Sequence, residues 1–142
     1  MKTVRQILEE KHKNPTTIES HHSVLEALRL MAETDVGAVM VLDAGTLVGV
    51  VSERDYVRKV ATTAVTSDTP VKDVMTVGVV AVTPEQTVEQ CMALMMQRHF
   101  RHLPVLDGET LIGVISVRDV VQAALDEREY RIDQLENYIS GR

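Results

Sequence analysis

Residues that carry much of protein chemistry are scarce in this chain. It has one cysteine, Cys91, no tryptophan, one phenylalanine and only 3% aromatic residues. A single thiol excludes an intramolecular disulfide and a cysteine metal cluster. So few rings exclude a broad aromatic binding surface, and the core must come from Val, Leu, Ile, Met and Ala. Excess positive charge is missing too. The formal net charge is −6, which repels a phosphate backbone and argues against a nucleic-acid partner. No apolar run reaches membrane-helix length, and the N-terminus has no signal-peptide apolar stretch. These absences predict a cytoplasmic, soluble chain with no membrane partner.

What is present fits one compact domain, or two half-domains that share a core. The chain has 142 residues, 44% of them hydrophobic. Its densest basic patch is Arg98, His99, Arg101 and His102. The patch is local, so it suits a small anion better than a polymer.

The sequence repeats itself at a spacing of 64 positions, without a gap, from Ile18–Val57 onto Val82–Val121. Fourteen of these forty positions are identical. Val41-Leu42-Asp43 answers Val105-Leu106-Asp107, and Gly49-Val50 answers Gly113-Val114. Ser52, Arg54 and Asp55 answer Ser116, Arg118 and Asp119. A few valines could coincide by chance. Gly, Ser, Arg and Asp all falling in register point to duplication. Val4–Leu8 also resembles Val71–Met75, at a shift of 67. The first copy therefore carries three extra residues near Lys11 to Asn14. The expected division is residues 1–61 for one repeat, 62–69 for a linker, 70–125 for the second repeat and 126–142 for a C-terminal helix.

Each copy reads as β-α-β-β-α after a short helix, which is an α/β (α+β) fold of tandem repeats packed as a pseudo-twofold pair. The first extended pieces are expected at Thr16–Ile18 and Val79–Val82. Helices follow, carried by Val24, Ala27, Leu28 and Met31, and by Val88, Cys91, Met92 and Met95. Thr83, Pro84 and Gln86 form the expected capping-box start of the second of these. Short Val-rich strands joined by tight turns at Asp43–Gly45 and Asp107–Glu109 should be antiparallel. The last helix of each copy should start at Ser52 and Ser116. The tail, Glu127 to Ile139, has no counterpart in the first copy. Ile132, Leu135 and Ile139 share a helical face there, which suits either core coverage or self-association.

The paired segments Gly49-Val50-Val51-Ser52-Glu53-Arg54-Asp55 and Gly113-Val114-Ile115-Ser116-Val117-Arg118-Asp119 resemble the tandem CBS (cystathionine-beta-synthase-type) domain, or Bateman, module. Arg101–Asp107 adds to the likeness, which spans Val4 to about Ala124. The resemblance implies a stand-alone regulatory module that forms a homodimer. It also implies an adenosine nucleotide (AMP, ADP or ATP) in the cleft between repeats, with an NAD-type ligand or S-adenosylmethionine as further options. No resident cofactor is implied, and a regulated target protein would be unknown.

Ser52 with Asp55, and Ser116 with Asp119, can be read in two ways. Ser followed three residues later by Asp at a strand-to-helix junction is a helix cap. An ionised carboxylate at that corner can also accept hydrogen bonds from both ribose hydroxyls, the role the resemblance implies for Asp55 and Asp119. Arg54 and Arg118 are solvated helix residues or phosphate contacts. His102 and Arg101 are phosphate candidates. The aligned first-copy positions are Ala38 and Gly37, with Asp35 nearby, so the two sites should differ. Val80, Val82 and Thr83, and Thr17 and Ile18, are base-binding candidates as well as core or cap residues. Gly49 and Gly113 should admit a close neighbour, either backbone or ligand.

Catalysis is not expected. The chain has no Walker loop, dinucleotide fingerprint or HExxH motif, no catalytic residue stands out, and no metal set is evident. Cys91 lies on an apolar helix stripe and reads as a buried structural thiol. The alternative to a nucleotide sensor is a structural or protein-interaction module with no physiological nucleotide.

Overall fold

The protein's computed structural model describes residues 2–140. Its elements run α1 (Val4–Lys11), β1 (Thr17–Glu19), α2 (Val24–Thr34), β2 (Ala38–Asp43), β3 (Thr46–Ser52) and α3 (Glu53–Thr62). A 3-10 turn at Val71–Asp73 follows, then α4 (Val88–Arg98), β4 (His102–Asp107), β5 (Thr110–Ser116) and α5 (Val117–Ile139). The fold is α+β with two small sheets, in the orders β1-β2-β3 and β4-β5.

Two compact units divide these elements, and they cut across the sequence repeats. One gathers the N-terminal segment through Lys13, Ala81–Asp107, and the chain from Gly113 onward. The other holds Asn14–Val80 and Gly108–Ile112. Each repeat's leading helical segment thus belongs to the unit that holds most of the other repeat.

The first sheet sits in the Asn14–Val80 unit. β1 pairs parallel with β2, aligning Ile18 with Val41. β2 pairs antiparallel with β3, aligning Ala38 with Ser52 and Val41 with Gly49. A register shift between Val41 and Leu42 brings Leu42 opposite Leu47. The extra residue bends β3 before it reaches the Ser52 corner. α2 starts at Ser23, whose hydroxyl accepts the Glu26 amide. Its Val24, Ala27 and Met31 lie on one face and pack with Ile18, Val39, Val41, Val51, Val71 and Val74. Burying each of the larger side chains contributes about 1.5–3 kcal/mol.

In the other unit, Val4, Ile7, Val88, Cys91, Leu103, Val105, Ile115 and Val120 are buried, and α4 packs on both β4 and α5. α1 is anchored at its start. Val4 and Arg5 donate their amides to the Gln86 and Pro84 carbonyls at 2.8 and 2.9 Å, and the Val88 amide donates to the Lys2 carbonyl at 3.0 Å. The first helical turn has no internal partners for these amides, so the loop supplies them. The Val71 amide makes the matching bond to the His22 carbonyl at 2.8 Å in the other unit.

Three local expectations need correction. The strand expected at Val79–Val82 is a single bridge between Val82 and Val105. Gly78 turns the chain just before it, with φ of 68°. The helix expected to mirror Val4–Leu8 shrinks to Val71–Asp73, because both backbone groups of Thr76 leave to pair with Val50. α4 begins at Thr87, capped reciprocally with Gln90, and not at Thr83. Thr83 and Gln86 form a separate turn, in which the Thr83 amide donates to Gln86 Oε1 at 2.8 Å. The carbonyls of Pro84 and Gln86 are then free to serve α1.

Candidate functional site

Both strand-to-helix corners form as the sequence predicts. β3 ends at Ser52 and β5 at Ser116, each in extended conformation, and each serine caps the helix that follows. The Asp55 amide donates to Ser52 Oγ at 3.1 Å, and the Ser52 amide donates back to Asp55 Oδ2 at 3.0 Å. The second corner repeats this. The Asp119 amide donates to Ser116 Oγ at 3.1 Å, and the Ser116 amide donates to Asp119 Oδ2 at 2.9 Å. Capping is therefore real at both aspartates. It uses Oδ2 in each case and leaves the other oxygen to differ.

The remaining partners separate the corners. At Asp55, Ser52 Oγ donates to Oδ2 at 3.0 Å and the Thr76 hydroxyl donates to Oδ1 at 3.2 Å. At Asp119, Lys11 Nζ donates to Oδ2 at 2.8 Å and also to the Val114 carbonyl at 3.0 Å. The Lys11 and Asp119 side chains are 28% and 19% exposed, so this pair is weakly screened. Burial works against ionisation of Asp119. The bonds from Lys11 and the Ser116 amide outweigh it, so the carboxyl lies below the usual aspartate range. Neither Lys11 nor Thr76 was singled out by the motifs. The extra residues near Lys11 were visible, but a lysine in a helix's last turn is explained by the macrodipole alone.

The glycines explain how these donors reach the corners. A side chain at Gly113 would meet Leu8 of α1, with Cδ2 only 2.5 Å from its Cβ position. One at Gly49 would meet Met75 Sδ at 2.6 Å and the Thr76 carbonyl at 2.9 Å. Both glycines therefore admit a neighbouring segment of the chain.

The other predicted residues spread out. The Val117 amide donates to the Arg101 carbonyl at 3.0 Å, tying the start of β4 to the start of α5. Arg101 and His102 therefore enter the fold beside the Ser116 corner. Arg101 is exposed and His102 half-buried. Arg54 and Arg118 are exposed in the first turns of α3 and α5. Asp35 closes α2 in the left-handed conformation, as His99 closes α4, and both are exposed.

The base-binding candidates divide. Ile18 belongs to the hydrophobic core. Val82 is 1% exposed, and its amide and carbonyl pair with Pro104 and Leu106 at 2.9 Å. Val82 therefore keeps no backbone group for a base. Thr17 and Val80 are half-buried and Thr83 is exposed. Thr17 and Ile18 also line an open groove of about 490 Å³ along β1 and α2, with Glu19, Glu26, Arg29 and Glu33. Asp55 does not line it. His22 pairs with Glu26 and holds that carboxyl low. The groove's carboxylates oppose an anionic ligand, so its size does not make it a phosphate site. Cys91 is buried, which pushes its thiol up to about 11 and makes it a poor nucleophile. Among the described residues no group of three or more His, Cys, Asp or Glu could hold a metal, and no helix is long and apolar enough to cross a membrane.

The family model for the CBS domain matches twice, at residues 4–62 and 71–126. CBS domain-containing protein CBSX3, mitochondrial, of Arabidopsis thaliana is 37% identical over 125 residues. That match covers 84% of this chain and 61% of the Arabidopsis protein, which is therefore longer than the shared region. A CBS-domain protein from Burkholderia ambifaria superposes with a TM-score of 0.83 at 42% identity, covering 88% of this chain and 95% of the other. CBSX2, solved in complex with AMP, superposes with a TM-score of 0.70 at 30% identity, covering 90% of this chain and 99% of the other. The doubled match, over most of the length and with the same small sheets, decides the matter: this chain belongs to the CBS-domain family and carries its domain twice.

Proposed function

We propose that the chain is a non-catalytic regulatory module that binds an adenosine-containing nucleotide, with AMP, ADP or ATP as its ligand. One observation carries this reading. A relative of 30% identity along nearly its whole length holds AMP, and this chain presents a carboxylate at the strand-to-helix corner of both repeats. Asp119 and Asp55 would receive the ribose hydroxyls, with Ser116 and Ser52 fixing their orientation. An ionised acceptor makes such bonds stronger than a neutral one. Arg101 and His102 would meet the phosphates, with Arg118 and Arg54 as further cations. Val80, Thr83 and Thr17 supply the less buried surface offered to a base. Calorimetric titration with AMP, ADP, ATP, NAD and S-adenosylmethionine tests the reading, and adenosine nucleotides should bind below millimolar concentration. No heat from any of them would leave the interaction-module alternative ahead.

Regulation needs more than binding. The ligand must favour one conformation or partner over another, so a target protein belongs to this reading. So does self-association. Leu125, Ile132, Leu135 and Ile139 of α5 are 51, 47, 59 and 75% exposed. An isolated helix end is marginal in water, and a second copy would cover this stripe. Sedimentation should show a dimer, and Ile132→Glu with Leu135→Glu should give monomers. A wild-type monomer would remove this part of the reading.

A further inference from the structure

The two corners share one design but are closed by different donors. In the first repeat the backbone of Thr76 exchanges both bonds with Val50, its amide donating to the Val50 carbonyl at 2.8 Å. Its hydroxyl then reaches Asp55 Oδ1. In the second repeat one ammonium replaces both donors. Lys11 Nζ takes the carbonyl of Val114, the counterpart of Val50, and the carboxylate of Asp119, the counterpart of Asp55. A neutral, backbone-anchored hydroxyl thus stands in one copy where a side-chain cation stands in the other.

Charge and lone pairs follow from that exchange. Asp55 spends both oxygens on Ser52 and Thr76, and no cation among the described residues pairs with it. At Asp119 the bonds from Lys11 and the Ser116 amide both fall on Oδ2, so Oδ1 faces no demand from either. A carboxylate offers about four lone-pair positions, so a ligand hydroxyl can add at Oδ1 without displacing Lys11. The Lys11 ammonium also cancels the carboxylate's charge, which would otherwise repel a phosphate. Arg101 and His102 enter beside this same corner.

We propose that Lys11 is the positioning residue that sets ligand charge at the Asp119 corner, selecting a phosphorylated adenosine ligand over the bare nucleoside. The Asp55 corner, lacking this cation, favours the uncharged nucleoside. The inference rests on the nucleotide-binding reading above and adds to it the residue that discriminates.

Calorimetric titration of AMP and adenosine tests it in a chain carrying Asp55→Asn, so that one corner reports. Lys11→Met should lower the ratio of AMP to adenosine affinity about tenfold, as loss of a partly buried charge near a phosphate implies. Lys11→Gln keeps a donor without the charge and should lower the ratio similarly. Lys11→Arg should hold it within about twofold, because the charge persists. An unchanged ratio in Lys11→Met and Lys11→Gln, or equal weakening of both ligands, overturns the assignment while leaving nucleotide binding intact. Failure of the Asp55→Asn parent and the wild-type chain to bind either ligand overturns the nucleotide reading itself.

Discussion

The Ser52–Asp55 and Ser116–Asp119 corners began as copies and now hold their carboxylates with different partners. Both keep the reciprocal serine–aspartate cap, because each helix start leaves amides that need acceptors. They diverge in what leans on the carboxylate: Thr76 in one case and Lys11 in the other. A duplicated motif therefore preserves the cap that starts each helix and varies the side chain that holds the carboxylate. The neighbouring glycines show the same divergence. Backbone and a methionine crowd Gly49, whereas the nearest atoms at Gly113 are all from the flexible side chain of Leu8.

The largest expected effects come from those glycines. Gly49→Ala would press a methyl onto the Thr76 carbonyl, which is fixed by its bridge to Val50, and should cost about 3 kcal/mol. Gly113→Ala asks only that Leu8 turn, and should cost about 1 kcal/mol. Urea denaturation of both variants checks the order, and equal losses would mean that the two neighbouring segments are equally yielding.

Next come the carboxylates. Asp119→Ala removes half of a capping box and strands a partly buried ammonium, for about 2 kcal/mol. Asp55→Ala removes the same cap but strands only the neutral hydroxyls of Ser52 and Thr76, for about 1 kcal/mol. Chemical denaturation should rank them in that order. A reversed order would deny that the ion pair distinguishes the corners.

The pH dependence is smaller. The folded Asp119 carboxyl ionises below its ordinary value of 3.8. Its contribution is therefore complete above that value and fades as pH falls below it, through the folded value. Wild-type protein should exceed Lys11→Met by about 1 kcal/mol at neutral pH, and the gap should close in acid. A gap that stays constant into acid would place the effect of Lys11 elsewhere. Smallest is the phosphate pair. Arg101→Ala with His102→Ala should weaken ATP about fivefold and adenosine hardly at all, one charge-assisted contact being worth roughly that much. Equal losses measured by calorimetry would point to damage at the start of β4.

Much of this was legible in the chain. The 64-residue repeat located both corners, because Gly, Ser and Asp mark a bend, a cap and an acceptor in any context. The helical stripe of Val24, Ala27 and Met31 told which face enters the core. Local signals failed where distant backbone intervened. Thr83 and Gln86 look like a capping box, yet the neighbouring carbonyls serve α1. Val79–Val82 looks like a strand, but β4 offers partners to Val82 alone. Lys11 was illegible as a partner of Asp119 for a related reason: its acceptors lie more than a hundred residues away, and only the fold brings them within reach. The compact units were hidden too, since leading segments trade units without leaving a mark on composition.

The central claim is that Asp119 receives an adenosine nucleotide. Calorimetric titration of AMP against wild-type and Asp119→Asn proteins tests it most directly, because asparagine keeps an oxygen to accept the Ser116 amide while it removes the charge and turns the other acceptor into an amide donor. The account predicts at least about fivefold weaker AMP binding in the variant, corresponding to about 1 kcal/mol, with the fold retained by circular dichroism. AMP binding of equal strength in the two folded proteins would contradict it.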